Sequence, residues 1–86
     1  MKVLLPSPLA GYTSGKRQVD ADGATLAEVL ADLDRRYPGI RFRVIDEQDA
    51  VRPHIRFFVN RALVRSLGVA LAPTDEVLVV AALSGG

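Results

Sequence analysis

Thr25-Leu26-Ala27-Glu28-Val29-Leu30-Ala31-Asp32-Leu33-Asp34-Arg35-Arg36-Tyr37-Pro38-Gly39 decides how the rest of the chain is read. Leu26, Val29, Leu30, Leu33 and Tyr37 recur at helical spacing, which lines them along one face of an α-helix. Both ends are marked. Thr25 with Glu28 has the form of a capping box, a hydroxyl accepting from an orphan N–H while the carboxylate reaches back. Glu28 suits the positive end of the helix dipole, and Arg35 and Arg36 suit the negative end. Pro38-Gly39 stops the helix. One amphipathic helix covers one face of one sheet, so a two-layer α+β domain is expected.

Upstream, Lys2 to Pro6 reads as a short strand centred on Val3-Leu4-Leu5. Pro6-Ser7-Pro8 ends it, because proline has no N–H to give to a ladder. Leu9 to Gly15 has turn composition and no period, the mark of a long hairpin loop. Lys16 to Asp20 reads as a polar edge strand, and Asp22-Gly23 turns the chain toward the helix.

Downstream, Ile40 to His54 is a long connection. Phe42 and Ile45 are expected to anchor a short helical turn there, with Asp46 to Asp49 as a solvated loop. Ile55 to Asn60 alternates as a strand with Ile55, Phe57 and Val59 inward. Asn60-Arg61-Ala62 is a tight turn in which Asn tolerates positive φ, and a short strand follows near Leu63 to Arg65. Pro73 to Glu76 turns the chain again. Val77 to Ala82 is the most apolar run and is placed at the centre of the sheet beside the first strand. The order is ββαβββ, about five strands in a domain over residues 1–82, with residues 83–86 left as a flexible tail.

Eighty-six residues suffice for one core. With no cysteine in the chain, disulfides, zinc–thiolate sites and a cysteine nucleophile are excluded, and a single histidine, His54, excludes a multi-histidine metal centre. A formal charge of +1 gives no general pull toward nucleic acid or membrane. No run is long enough to span a membrane and Met1-Lys2-Val3 leads into a strand, so a cytoplasmic protein is expected. Gly11 to Arg17 imitates a phosphate-binding loop but has the wrong glycine spacing, and Arg17 stands where the motif needs Ser or Thr. Asp20-Ala21-Asp22-Gly23 opens like a calcium loop, yet Ala31 occupies the position that requires a bidentate glutamate. No general acid–base pair or nucleophile is apparent, so the chain is not read as an enzyme. Residues 35–65 carry eight arginines against three acids. Without interleaved aromatic motifs, that stretch favours an acidic protein partner or a plain solvated surface over nucleic acid.

Strand alternation leaves Leu4, Phe58, Leu78 and Val80 on the face away from the helix. An apolar patch of that kind marks a protein-binding surface unless the 40–54 connection folds over it. Gly85-Gly86 is the sharpest local signal. Lacking Cβ atoms, the pair can enter a narrow channel extended and present a terminal carboxylate; an ordinary frayed terminus is the plain alternative.

Taken together, the ββαβββ order, Thr25 to Leu30 opening the helix, Phe58-Val59-Asn60 before a tight turn, and Thr74 to Val77 leading to Leu83-Ser84-Gly85-Gly86 resemble the ubiquitin-like β-grasp sulfur-carrier family. Within it, length and the proline-rich first loop are most similar to the cysteine-pathway carriers, and next to the small subunit of molybdopterin synthase. Ala81-Ala82 departs from the prolines common in the latter. The resemblance implies that an ATP-dependent adenylyltransferase of the ubiquitin-activating type adenylates the Gly86 carboxylate. Sulfide or a persulfide then displaces AMP, and the resulting thiocarboxylate donates sulfur to a biosynthetic acceptor enzyme. Gly86 would be the reacting position and Gly85 would give the tail access. Leu4, Phe58, Leu78, Val80, Leu83 and Ser84 would meet the partners, with no bound metal or resident cofactor. The small subunit of molybdopterin synthase, a ubiquitin-like modifier conjugated to proteins through Gly86, and a non-catalytic β-grasp interaction module are the other readings.

Overall fold

The computed structural model describes residues 1–81; Ala82 and the expected tail over residues 83–86 lie outside the described residues. Helix α1 spans Leu26–Arg36, and the Thr25 hydroxyl accepts the Glu28 N–H at 3.2 Å as the capping pattern requires. Glu28 reaches back one residue further than expected, accepting the Ala24 N–H at 3.3 Å. Two further donors at this end are satisfied from far along the chain. The N–H groups of Leu26 and Ala27 donate to the carbonyls of Val69 and Leu67 at 3.2 and 2.8 Å, which ties the 67–69 segment across the helix start. Leu26, Val29, Leu30 and Leu33 are buried, whereas Tyr37 sits at the C-cap and is only partly covered.

Asp32 lies off the apolar stripe of α1. It is buried, accepts the Asp22 N–H at 2.9 Å and receives the guanidinium groups of Arg35 and Arg36. The Asp22 N–H, aided by the two arginines, holds its carboxyl below the usual carboxylate range. The turn before the helix is thereby pinned to the helix's second turn.

Five strands follow the expected order: β1 Lys2–Leu4, β2 Gln18–Asp20, β3 Ile55–Val59, β4 Ala62–Val64 and β5 Glu76–Ala81. Their spatial order is β2-β1-β5-β3-β4. β5 is central, parallel to β1 and antiparallel to β3, and the polar β2 and short β4 form the edges. Val3, Val19, Ile55, Phe57, Val77 and Val79 are buried in one core with the α1 stripe, and Val59 packs against it. This is the mixed sheet and single principal helix of the ubiquitin-like β-grasp.

Three local expectations are corrected. Ser7–Thr13 is a 3-10 helix that overlaps the Leu9 to Gly15 segment read as a long hairpin loop. Pro8 starts it, Leu9 and Thr13 are buried, and the Thr13 hydroxyl bonds the carbonyls of Ala10 and Lys16. The helical turn in the 40–54 connection exists as α2, Arg41–Val44, but Phe42 does not anchor it and stands 49 % exposed. Ile40 and Val44, four apart, share the inward face with Ile45 following, and Phe42 is left half a turn away. The connection therefore packs into the helix-side core and leaves the other face of the sheet open. At the β3–β4 turn both Asn60 (φ 48°) and Arg61 (φ 73°) are left-handed, where a positive φ was expected of Asn60 alone. With Val59 opposite Ala62 this is a two-residue type I′ hairpin, and β4 runs Ala62–Val64 rather than Leu63 to Arg65.

Candidate functional site

The open face of the sheet collects what alternation assigned to it. Leu4 pairs with Leu78, Leu78 with Phe58, and Phe58 with Leu63, so four strands contribute one apolar residue each to a single row. Leu4, Phe58 and Leu78 are half-buried and Leu63 is 42 % exposed. Val80, two residues further along β5, continues the surface and pairs with Arg56. The two ends of this face differ. Beyond Leu4 and Leu78 toward the start of β5, Lys2 and Glu76 form an ion pair at 3.7 Å. At the other end, Pro6, Pro8 and Arg17 border a shallow groove of about 320 Å³ beside Val80 and Ala81.

Four of the six residues expected to meet a partner, Leu4, Phe58, Leu78 and Val80, thus share one surface. Leu63 was missed, although hairpin arithmetic holds the signal: a two-residue turn at Asn60-Arg61 forces Phe58 opposite Leu63. The other two expected partner contacts, Leu83 and Ser84, and the expected reacting position Gly86 with Gly85 lie outside the described residues.

The register of the row is locked at its polar end. Asn60 donates through Nδ2 to Asp75 Oδ1 at 2.9 Å and accepts the Glu76 N–H at 3.0 Å, while its own N–H donates to the Glu76 carbonyl at 2.9 Å. Asp75 also accepts the Ala72 N–H at 2.8 Å. That backbone N–H first, and the Asn60 amide second, hold the Asp75 carboxyl below the usual range. The end of β3 and the start of β5 are therefore tied together through side chains, which keeps Phe58 opposite Leu78.

Nothing on the described surface is arranged for bond-breaking chemistry of its own. Among the described residues no group of three or more His, Asp or Glu could hold a metal ion, and no helix is long and apolar enough to cross a membrane. His54 is exposed, and the Ser66 hydroxyl accepts the Gly68 N–H in a local turn. What the face can do is bind: an apolar row with mixed polar ends suits another protein's surface.

Comparison with known proteins gives consistent results. The sequence profile of the ThiS family matches residues 3–86. The sulfur carrier protein CysO of Mycobacterium tuberculosis is 35 % identical over 89 aligned positions, covering 98 % of this chain and 96 % of the relative. Among solved structures, the Amycolatopsis orientalis BexX/CysO complex contains a chain that superposes with a TM-score of 0.91 at 31 % identity, covering 99 % of this chain and 98 % of the other. SAMP1 of Haloferax volcanii superposes with a TM-score of 0.79 at 32 % identity, covering 100 % and 98 %.

Proposed function

The chain belongs to the ThiS family of ubiquitin-like sulfur carriers, and from that premise we propose that it carries sulfur as a thiocarboxylate at Gly86 for a biosynthetic acceptor enzyme. It is a substrate handled by partner enzymes, not a catalyst. The observation that carries the reading is the extent of the family match, which runs over residues 3–86 and includes Gly85-Gly86.

The chemistry follows from what a carboxylate lacks. A free carboxylate is a poor electrophile, so an activating enzyme of the ubiquitin-activating type attacks the α-phosphorus of ATP with the Gly86 carboxylate oxygen and releases pyrophosphate. Hydrosulfide then adds to the acyl carbon and AMP leaves with the C–O electron pair, giving the thiocarboxylate. Glycine at 85 and 86 keeps side chains away from the carbon under attack. In a chain without cysteine, an acyl carbon is the place where sulfur can be held covalently. The row Leu4–Leu78–Phe58–Leu63 with Val80 docks the activating enzyme and the acceptor in turn. Similarity to CysO favours an acceptor that makes cysteine.

Intact mass spectrometry tests this. Incubation with ATP, sulfide and the activating enzyme should raise the mass by the difference between a sulfur and an oxygen atom. Deletion of Gly86 should abolish the change while leaving the fold intact. An unchanged wild-type mass with functional activating enzymes, or transfer by the Gly86 deletion, overturns the proposal. Likeness to SAMP1, a structure of a small archaeal modifier protein, favours a second reading, conjugation to protein lysines through Gly86. Adducts that survive thiol reductants would establish it.

A further inference from the structure

The arginines of residues 35–65 fall into two groups that sequence does not separate. Arg35 and Arg36 are paired with Asp32, Arg36 also with Asp22, and Arg41 with Asp49. Arg43, Arg52, Arg56, Arg61 and Arg65 form no ion pair among the described residues; of these, Arg52, Arg56 and Arg65 lie together, and Arg52 and Arg56 are held in place. Arg56 Nη1 donates to the carbonyls of Pro53 and Ile55, both at 2.8 Å, and Arg52 Nε donates to the Phe42 carbonyl at 2.6 Å. Backbone carbonyls fix a guanidinium without cancelling its charge.

These three side chains line one notch of about 370 Å³, where β4 has ended and the edge of β3 continues alone. Its walls also include Pro53, Leu63 and Val64. The notch is continuous with the open face on two counts: Leu63 belongs to the apolar row, and Arg56 pairs with Val80. We infer that this notch docks carboxylate side chains of an acidic protein surface, with Arg52, Arg56 and Arg65 as the charged contacts at the end of the apolar row. Oriented guanidinium groups bind carboxylates in bidentate fashion, and arginine beside apolar contact area is the composition of protein-binding surfaces. Single-stranded nucleic acid fits less well, because its binding rests on successive stacked bases. The notch's own aromatic wall, Phe57, is buried.

The test needs no sulfur chemistry, so its failure is separate from failure of the carrier reading. The isotope-labelled full chain is titrated at low salt with a short polyglutamate peptide. A polyglutamine peptide and a single-stranded DNA oligonucleotide of the same charge serve as comparison probes, with backbone amide and arginine Nε–H shifts as the readout. Polyglutamate should move Arg52, Arg56 and Arg65. It should leave Arg35 in place, which is 77 % exposed but already paired with Asp32. Arg65→Glu, whose side chain makes no hydrogen bond among the described residues, should weaken binding about tenfold or more with the spectrum otherwise retained; Arg56→Glu should do the same. Equal movement of Arg35, tighter binding of the oligonucleotide at the same residues, or no effect of Arg65→Glu overturns the inference.

Discussion

Phe57 and Phe58 are neighbours in one strand and lead opposite lives. Phe57 is 1 % exposed in the core with Val77, Val79 and the α1 stripe, whereas Phe58 is half-buried in the open row between Leu78 and Leu63. The same alternation divides Val79 from Val80 and Val3 from Leu4. Hydrophobicity alone does not distinguish the two sets. The difference is that one face finds a helix and the 40–54 connection to cover it, and the other finds neither. A second apolar face that folding does not consume is available for association.

Replacing the two phenylalanines one at a time is the strongest way to break that division. Phe57→Ala should cost about 3–5 kcal/mol by urea unfolding, because it leaves a cavity in a covered core. Phe58→Ala should cost about 1 kcal/mol, while slowing thiocarboxylate formation at limiting concentrations of the activating enzyme. Equal stability losses would mean that the open face is also core.

The hairpin sharpens the division, because its turn sets the register that sends Phe57 in and Phe58 out. Arg61 occupies a left-handed position that glycine fills without strain, so Arg61→Gly should stabilise the fold by about 0.5–1 kcal/mol, read as a higher thermal midpoint. Leu63→Ser should change stability within about ±0.5 kcal/mol and yet weaken partner binding, since Leu63 contributes to the row and not to the core. The smallest effect concerns the lock at the polar end of the row. The Asp75 carboxyl is held low in the folded chain, so its contribution is present above the unfolded carboxylate value and is lost as pH falls through the folded one. Asp75→Asn should therefore narrow the gap between thermal midpoints measured at neutral and acid pH.

Helix α1 was legible because its stripe, N-cap and stop are all local, and the central strand because its apolar run is uninterrupted. The shared open face of Leu4, Phe58, Leu78 and Val80 was legible for a similar reason, since a period of two needs only the strand's own residues. Leu63 and the left-handed Arg61 were hidden in a turn whose length the sequence left open. Phe42 was misread because a four-residue helix is too short for a periodic pattern, and either of two faces fits it. Asp32 lies off the apolar stripe of the helix, and only the folded approach of the Asp22 N–H makes it a buried acceptor.

The sequence by itself determined the order of elements, the two faces of each strand and the absence of thiol chemistry, because those depend on residue type and near-neighbour spacing. Tertiary structure alone decided which face is covered, which distant carbonyls cap the helix, and which arginines keep an unpaired charge. Each of these is a contact between residues far apart in the chain. The capping carbonyls of Leu67 and Val69 meet donors at positions 27 and 26, and Asp32 pairs with Arg35 while Arg56 and Arg65 form no ion pair among the described residues.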